Sequence, residues 1–185
     1  MTIRTLLSSA VLLSVSLVAV AEVAAVNQSI NEAEVLAAQE NWCNALVNIS
    51  RTHQEQGQEA AHDLAKEVID SAYAYQMGAV LFKPTLTVNP QTFRTDSEGA
   101  LSYFVGGNAN YVQDTGFALK DWTECSVENA GVLITSDSAS TMGKVHFTNS
   151  EGEVTSVDKT WKFVKDDEGT VRIALHHSSL EFTGE

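Results

Sequence analysis

The sequence predicts an α+β domain in which amino-terminal helices cover one face of an antiparallel sheet. Two stretches with apolar residues at helical spacing come first, within residues 29–78. After Gly78 the chain changes to runs rich in Val, Ile, Thr, Phe and Tyr, broken by Gly, Asn and Asp, which is typical of strands joined by turns. No linker divides residues 22–185, so we predict one domain over this span, large enough to bury a substantial core.

Two helices are predicted, the first from Ser29 to Ser50 and the second between Gly57 and Gly78. Ser29 and Glu32 have the spacing of a capping box, in which the hydroxyl and the carboxylate bond free amides at a helix start. Apolar residues then recur at helical spacing, at Leu36, Trp42, Cys43, Leu46 and Ile49 in the first helix and at Ala61, Leu64, Ala65, Val68, Ala72 and Tyr75 in the second.

Five strands are predicted, over residues 79–88, 130–135, 140–148, 153–165 and 170–182. Short polar loops with a glycine, at 149–152 and 166–169, link the last three, so we expect an antiparallel meander. Pro84 interrupts the first strand and indicates an edge, a bulge or a kink that can aim Thr85 into a cavity.

The amino end has the three parts of a secretory signal. Arg4 is followed by an uncharged, largely apolar run over residues 5–21 that ends in the small residues Ala19 and Ala21. A membrane anchor is the alternative, but no basic stop-transfer cluster follows the run. We therefore predict a cleaved signal peptide over residues 1–21, with a second possible cut after Ala25, and a periplasmic or secreted domain.

The acidic net charge of the chain disfavours binding to negatively charged partners. The chain has 24 acidic and 11 basic residues, a formal net charge of -13, and no cluster of Lys or Arg. Such a surface repels nucleic acid and anionic membranes, so neither is an expected partner, and we expect no membrane attachment after signal cleavage. Cys43 and Cys125 either pair in the oxidising compartment or remain two separate buried thiols.

The segment His176–Ser179 carries the most chemistry in the sequence. Side chains alternate along a strand, so His176 and Ser178 share one face while His177 and Ser179 share the other. Against this, three apolar residues in phase with His177 leave open that His177 is the histidine on the core side: Val171, Ile173 and Leu175. Two structural histidines at a sheet end are the simpler alternative.

Several familiar motifs are absent from the sequence. It has no Gly-rich phosphate loop, no nucleophile elbow and no Cys or His pair at zinc-site spacing. His53, His62 and His146 have no ligand spacing with His176, which favours chemistry without a metal. Tyr103 lies in an aromatic stretch ending in two glycines, where a core role with a satisfied hydroxyl is the ordinary expectation.

Taken together, the motifs resemble those of the iota-class carbonic anhydrases, exported proteins related to the association domain of calcium/calmodulin-dependent kinase. The resemblance spans nearly all of the mature chain and rests on Phe82-Lys-Pro-Thr85, Tyr103-Phe-Val-Gly-Gly107, Asp114-Thr-Gly-Phe-Ala-Leu119, Trp122 and His176-His-Ser-Ser179. One departure is Leu180-Glu-Phe182, where family members commonly have a proline shortly after the second serine.

The resemblance implies a cone-shaped fold like that of nuclear transport factor two, with helices packed into a curved antiparallel sheet and a pocket inside. It implies a homodimer formed through the sheet face away from the helices. It also implies that the pocket is lined by Thr85, Tyr103, His176 and Ser178.

The implied activity is that of a carbonate dehydratase, a lyase that converts carbon dioxide and water reversibly to bicarbonate. We assign His176 as the proton acceptor and Thr85, Tyr103 and Ser178 as donors to the bicarbonate oxygens. Apolar carbon dioxide is expected beside Phe82, Phe104 and Phe117. We expect no cofactor, with zinc as the alternative, because the pocket motifs are rich in hydroxyls.

Two other functions stay open on the sequence. Domains of this fold also act as oligomerisation or ligand-binding modules without catalysis, and fold does not imply function. A cyclase or isomerase acting on an apolar small molecule would need an acid–histidine pair in the pocket, for which Asp114 and His176 are the candidates.

Overall fold

A computed structural model describes residues 26–184 of the chain. Its helices are α1 (Glu32–Gln56), α2 (Gln58–Ala72) and α3 (Ser97–Val105), and its strands are β1 (Leu81–Lys83), β2 (Trp122–Ile134), β3 (Ser138–Asn149), β4 (Val154–Lys165) and β5 (Val171–Leu180). They form one sheet in the order β1-β5-β4-β3-β2. The α+β prediction is confirmed, and the signal peptide predicted over residues 1–21 lies outside the described residues.

The sheet is antiparallel from β2 to β5, as the predicted meander requires. At its other edge β1 runs parallel to β5, which places Phe82 opposite His176. The strand predicted over residues 79–88 is only three residues long, because Pro84 has no amide hydrogen to continue the ladder. β2 begins at Trp122 rather than at residue 130, and its residues alternate between exposed and half-buried from Glu124 to Ala130.

Helix α1 begins later and ends later than predicted. Its cap is Asn31 and not Ser29: the Asn31 side chain accepts from the amide of Glu34, whose carboxylate accepts from the amide of Asn31. This is the same capping-box chemistry two residues further along. The helix continues past Ser50 to Gln56, where Gly57 ends it with a φ of 90°.

Helix α2 ends at Ala72, well before the predicted end at Gly78. Tyr73 is already extended, and the amide of Ala74 donates to the carbonyl of Ile173 in β5. A short 3₁₀ turn over Tyr75–Met77 follows. This early end brings the Tyr73 side chain, which is 1% exposed, into the core beside the sheet.

The sequence analysis missed helix α3, which carries Tyr103. Asp96 caps it by accepting from the amide of Gly99, and Gly106 follows its last residue with a φ of 65°. Most of its nine residues are buried, so the sequence has no polar stripe of helical period. The sequence signal for the start of this helix was Asp96, a residue type that commonly caps helices.

The core lies between the helices and the sheet. Trp42 of α1 is central to it, with edge contacts to Phe104, Phe147 and Trp161. A disulfide between Cys43 and Cys125 joins α1 to β2 and decides between the two alternatives for these cysteines. Within residues 26–184 no helix combines the length and the apolar character needed to cross a membrane.

Candidate active site

A β-bulge in β5 decides which histidine faces the core. Phe163 of β4 pairs with Ile173 and the preceding Lys162 pairs with Leu175, so Ala174 is an extra residue in β5. The extra residue reverses the alternation, and His176 and Ser178 are buried while His177 is exposed. The apolar alternation that favoured His177 as the core-facing histidine therefore ends at the bulge. The prediction that His176 and Ser178 share one face is confirmed.

Thr85 and Ser178 form the closest pair of predicted site residues. Their hydroxyl oxygens are 2.6 Å apart. The parallel pairing of β1 with β5 brings the start of the Pro84 turn beside Ser178, and Lys83 Nζ donates to the Ser178 carbonyl at 2.9 Å. Ser178 is buried and Thr85 is half-buried, so the pair connects the interior with the surface.

Tyr103 brings a third hydroxyl from α3. It faces the Thr85 hydroxyl and the backbone N–H groups of Thr85 and Leu86. None of these groups meets it at hydrogen-bonding geometry, and within residues 26–184 the buried hydroxyl has no partner. Burial raises the pKa of Tyr103 above its usual value, so the phenol keeps its proton. The expectation of a satisfied core hydroxyl is wrong, and a donor is free beside Thr85.

Aromatic rings form the apolar surroundings of these hydroxyls. Phe82 stacks on the His176 ring with centroids 4.4 Å apart and meets the edge of Tyr103 at 5.8 Å. Phe117 stacks on Tyr103 at 5.5 Å, and Phe104 stacks on Phe82 at 5.7 Å.

His176 is enclosed and hydrogen-bonded at both ring nitrogens. Its Nδ1 lies 2.9 Å from the Tyr73 hydroxyl and its Nε2 lies 2.7 Å from Lys159 Nζ. Burial holds the pKa of His176 well below its usual value of about 6.5, and the neighbouring His177 lowers it further. The imidazole is therefore neutral at neutral pH.

Sequence reasoning missed Tyr73 and Lys159. Tyr73 was assigned to no role because it lies at the misplaced end of α2. Lys159 is in phase with the buried residues Val157 and Trp161 of β4, which was the signal for an inward side chain. A single lysine in a strand is ordinarily directed to solvent, so the residue type concealed the pattern.

The acid–histidine pair considered for a cyclase or isomerase does not form. Arg94 Nη2 and Ser102 Oγ bond the two carboxylate oxygens of Asp114 at 2.8 and 2.7 Å. Both nitrogens of His176 are occupied by other groups. The Arg94–Asp114 ion pair instead fixes the loop between β1 and α3, because Arg94 also donates its amide to the Phe82 carbonyl at 2.8 Å.

The residues at this site do not suit zinc. His176 has no free ring nitrogen, because Tyr73 and Lys159 bond both of them. Across residues 26–184 no cluster of three or more such side chains comes together as a metal site would require.

Comparison with known proteins identifies close relatives. A sequence model of the family described as metal-independent carbonic anhydrase matches residues 33–180. A metal-independent carbonic anhydrase of Nostoc sp. is 53% identical over 157 residues, covering 85% of this chain and 77% of that protein. A crystal structure of an iota-carbonic anhydrase from a cyanobacterium, complexed with bicarbonate, matches with a TM-score of 0.85 at 51% identity, covering 88% of this chain and 99% of that one.

More distant structures agree on the fold. A putative calcium/calmodulin dependent protein kinase II association domain from Xanthomonas campestris matches with a TM-score of 0.57 at 22% identity, over 87% of this chain and 95% of that one. A nuclear-transport-factor-two-like protein of unknown function from Pseudomonas putida matches at 0.50 and 14% identity, over 83% and 89%. The predicted nuclear-transport-factor-two-like fold is confirmed.

Proposed function

Since the chain belongs to the metal-independent carbonic anhydrase family, we infer that it catalyses the reversible hydration of carbon dioxide to bicarbonate. It is then a carbonate dehydratase of the iota class. The family is described as metal-independent, which agrees with the expectation that the protein needs no cofactor. The observation that carries this function is the 51% identity with a structure complexed with bicarbonate, over nearly all of the described chain.

We place the reaction at the hydroxyls of Thr85, Tyr103 and Ser178. Carbon dioxide hydration forms a bond from a water oxygen to carbon, and one pair of C=O electrons moves to an oxygen that becomes negative. Hydrogen-bond donors fixed around that oxygen stabilise the transition state. The unpartnered Tyr103 hydroxyl supports this placement, because a buried donor without an acceptor already has the geometry of a site for one.

The water must also lose a proton, and His176 is the acceptor in this proposal. Its imidazole is neutral and lies two residues from Ser178 on the same face. Because Tyr73 and Lys159 occupy both nitrogens, the proton reaches the ring through one of these partners. The aromatic rings of Phe82, Phe104 and Phe117 provide the apolar surface against which carbon dioxide lies.

Stopped-flow hydration assays on protein shown by elemental analysis to be metal-free test the function and the site together. We expect catalysis in the wild type and a loss of about 100-fold or more in Ser178→Ala, the range for removing one oxyanion donor. Ser179→Ala is the matched control on the opposite face, and its rate should equal that of the wild type. Hydration at the uncatalysed rate in the wild type would favour the non-catalytic binding or assembly module instead.

The proposal extends to assembly and location. We propose a homodimer through the sheet face away from the helices, where Leu133 and Met142 are 68% and 63% exposed. Light scattering on the purified protein should give twice the chain mass. We propose export to the periplasm or medium by the signal over residues 1–21, and amino-terminal sequencing of the exported protein should begin at Glu22 or, for the second cut, at Val26.

A further inference from the structure

Lys159 is a buried amine without a counter-charge. It is 4% exposed, its Nζ is 2.7 Å from His176 Nε2, and the rings of Trp42 and Trp161 lie 4.8 and 5.3 Å from it. In the described part of the chain no carboxylate forms an ion pair with it. Lysines are almost never fully buried without a paired charge, and an unpaired one favours its uncharged form.

The hydrogen bonds around His176 specify where its proton is. Trp42 Nε1 is only a donor, and it donates to the Tyr73 hydroxyl at 2.9 Å. Within residues 26–184 His176 Nδ1 is the only other hydrogen-bond partner of that hydroxyl, so using the single hydroxyl hydrogen makes Nδ1 the acceptor and leaves the ring hydrogen on Nε2. That hydrogen faces Lys159 Nζ, which accepts it only through the lone pair of an uncharged amine.

We propose that Lys159 is a positioning residue for the reaction: as an uncharged amine it accepts the Nε2 hydrogen of His176 and so holds the imidazole neutral and in one tautomer beside Ser178. This inference rests on the proposed function. Lys159 is paired with Ser178 across β4 and β5, so its side chain runs alongside the serine and reaches the ring two residues away. Burial lowers the pKa of Lys159 well below its usual value, in agreement with the uncharged form.

Several elements contribute the titratable and aromatic groups around Lys159 and His176. Tyr73 follows α2 and Tyr103 belongs to α3, while α1, β3 and β4 contribute the non-titrating rings Trp42, Phe147 and Trp161. His177, on the opposite face of β5, is the titratable neighbour that also lowers the pKa of His176.

The first test measures unfolding free energy against pH in wild type and Lys159→Met, between pH 7 and 9.5. An unfolded lysine binds a proton throughout this range and an uncharged buried one does not, so wild-type stability rises with pH. We expect the folding equilibrium constant of the wild type to gain about tenfold per pH unit over that of the variant. Lys162→Met, at an exposed position of the same strand, should follow the wild type, and equal slopes in Lys159→Met would overturn the proposal.

A second measurement needs no variant. Nitrogen-15 spectra of histidine-labelled wild type at pH 7 should show Nε2 of His176 bearing hydrogen and Nδ1 without it. The reverse tautomer, or a doubly protonated ring, would contradict the hydrogen-bond assignment.

The third test is the pH–rate profile of hydration. We expect Lys159→Met to lose about 100-fold in kcat, within the range of a general base, and to change the acid limb of the profile. A partner that only supports the fold would lower the rate equally at every pH. If the stability and tautomer results hold but the wild type does not hydrate carbon dioxide, the proposed function fails and the placement of Lys159 stands. If the wild type is active and Lys159→Met keeps its rate and profile, the positioning role fails.

Discussion

At the scale of single residues, Tyr103 shows how a functional group differs from a structural one. Its hydroxyl is buried without a partner in the part of the chain that the structure describes, which costs stability, while its ring is packed on Phe117. We expect Tyr103→Phe to keep or raise the unfolding free energy, by up to about 1–3 kcal/mol, because the unsatisfied hydroxyl is removed. Hydration should fall about 100-fold or more, measured by stopped flow on the same sample. A variant that loses stability but keeps its rate would assign the hydroxyl to the fold.

His176 gives a prediction about acid stability. Its pKa in the fold is well below about 6.5, so below that pH the unfolded chain binds a proton that the folded chain does not. The imidazole therefore costs stability as the pH falls from about 6.5 towards the folded pKa, by about 1.4 kcal/mol per pH unit. Denaturant titrations of wild type and His176→Phe should show this extra slope in the wild type alone.

The matched control for this measurement is His62→Gln. His62 is exposed on α2, away from His176, and this variant should keep the wild-type dependence on pH. The same extra slope in His176→Phe would mean that the imidazole already takes its proton in the folded state.

The sequence predicted these side chains unevenly. His176, Ser178 and Thr85 were named through the resemblance to the iota-class carbonic anhydrases. Strand alternation indicated only that His176 and Ser178 share a face, and the Pro84 break only that Thr85 can be aimed into a cavity. Lys159 and Tyr73 could not, because their roles depend on contacts between β4, β5 and the end of α2 that no local pattern encodes. Residue type was misleading for Lys159, where two-residue periodicity was the better guide.

At the scale of elements, helix ends were the least predictable features. Ser29 and Asn31 are both good caps by residue type, and only the start of regular backbone separates them. We expect Asn31→Ala to lower the unfolding free energy by about 1 kcal/mol, since it removes the bond to the Glu34 amide. Ser29→Ala should be neutral in the same urea titration, and a larger loss there would restore the cap that the sequence predicted.

Strand positions were predicted more closely than helix ends. β3, β4 and β5 begin and end within two residues of their predicted bounds, since polar loops with glycine mark both turns between them. Helix α3 was missed because it is buried on most sides, and periodicity is visible only where one face meets water.

At the scale of the whole molecule, the disulfide links the first helix to the sheet. Cys43 and Cys125 are separated by 82 residues, and closing a loop of that size removes chain entropy equivalent to about 4 kcal/mol from the unfolded state. We expect the double variant Cys43→Ala, Cys125→Ala to lose stability of that order in urea titrations. A loss below about 1 kcal/mol would mean that the unfolded chain already holds these segments together.

The disulfide also bears on where the protein works. A cross-link of this kind persists in oxidising compartments, which agrees with the proposed export. The wild type kept in a strong reductant provides the control, because it should approach the stability of the double variant.

The bulge in β5 has a consequence for how this protein tolerates insertions and deletions. Ala174 contributes a small side chain, yet its presence allows the segment before it and the segment after it to keep separate registers against β4. A length change on the amino-terminal side of Ala174 can be absorbed there, whereas one between Ala174 and Ser178 would exchange the buried and solvent-exposed faces of the motif. Two chains that both contain His-His-Ser-Ser can therefore present opposite histidines to the interior, depending on whether this one residue is present.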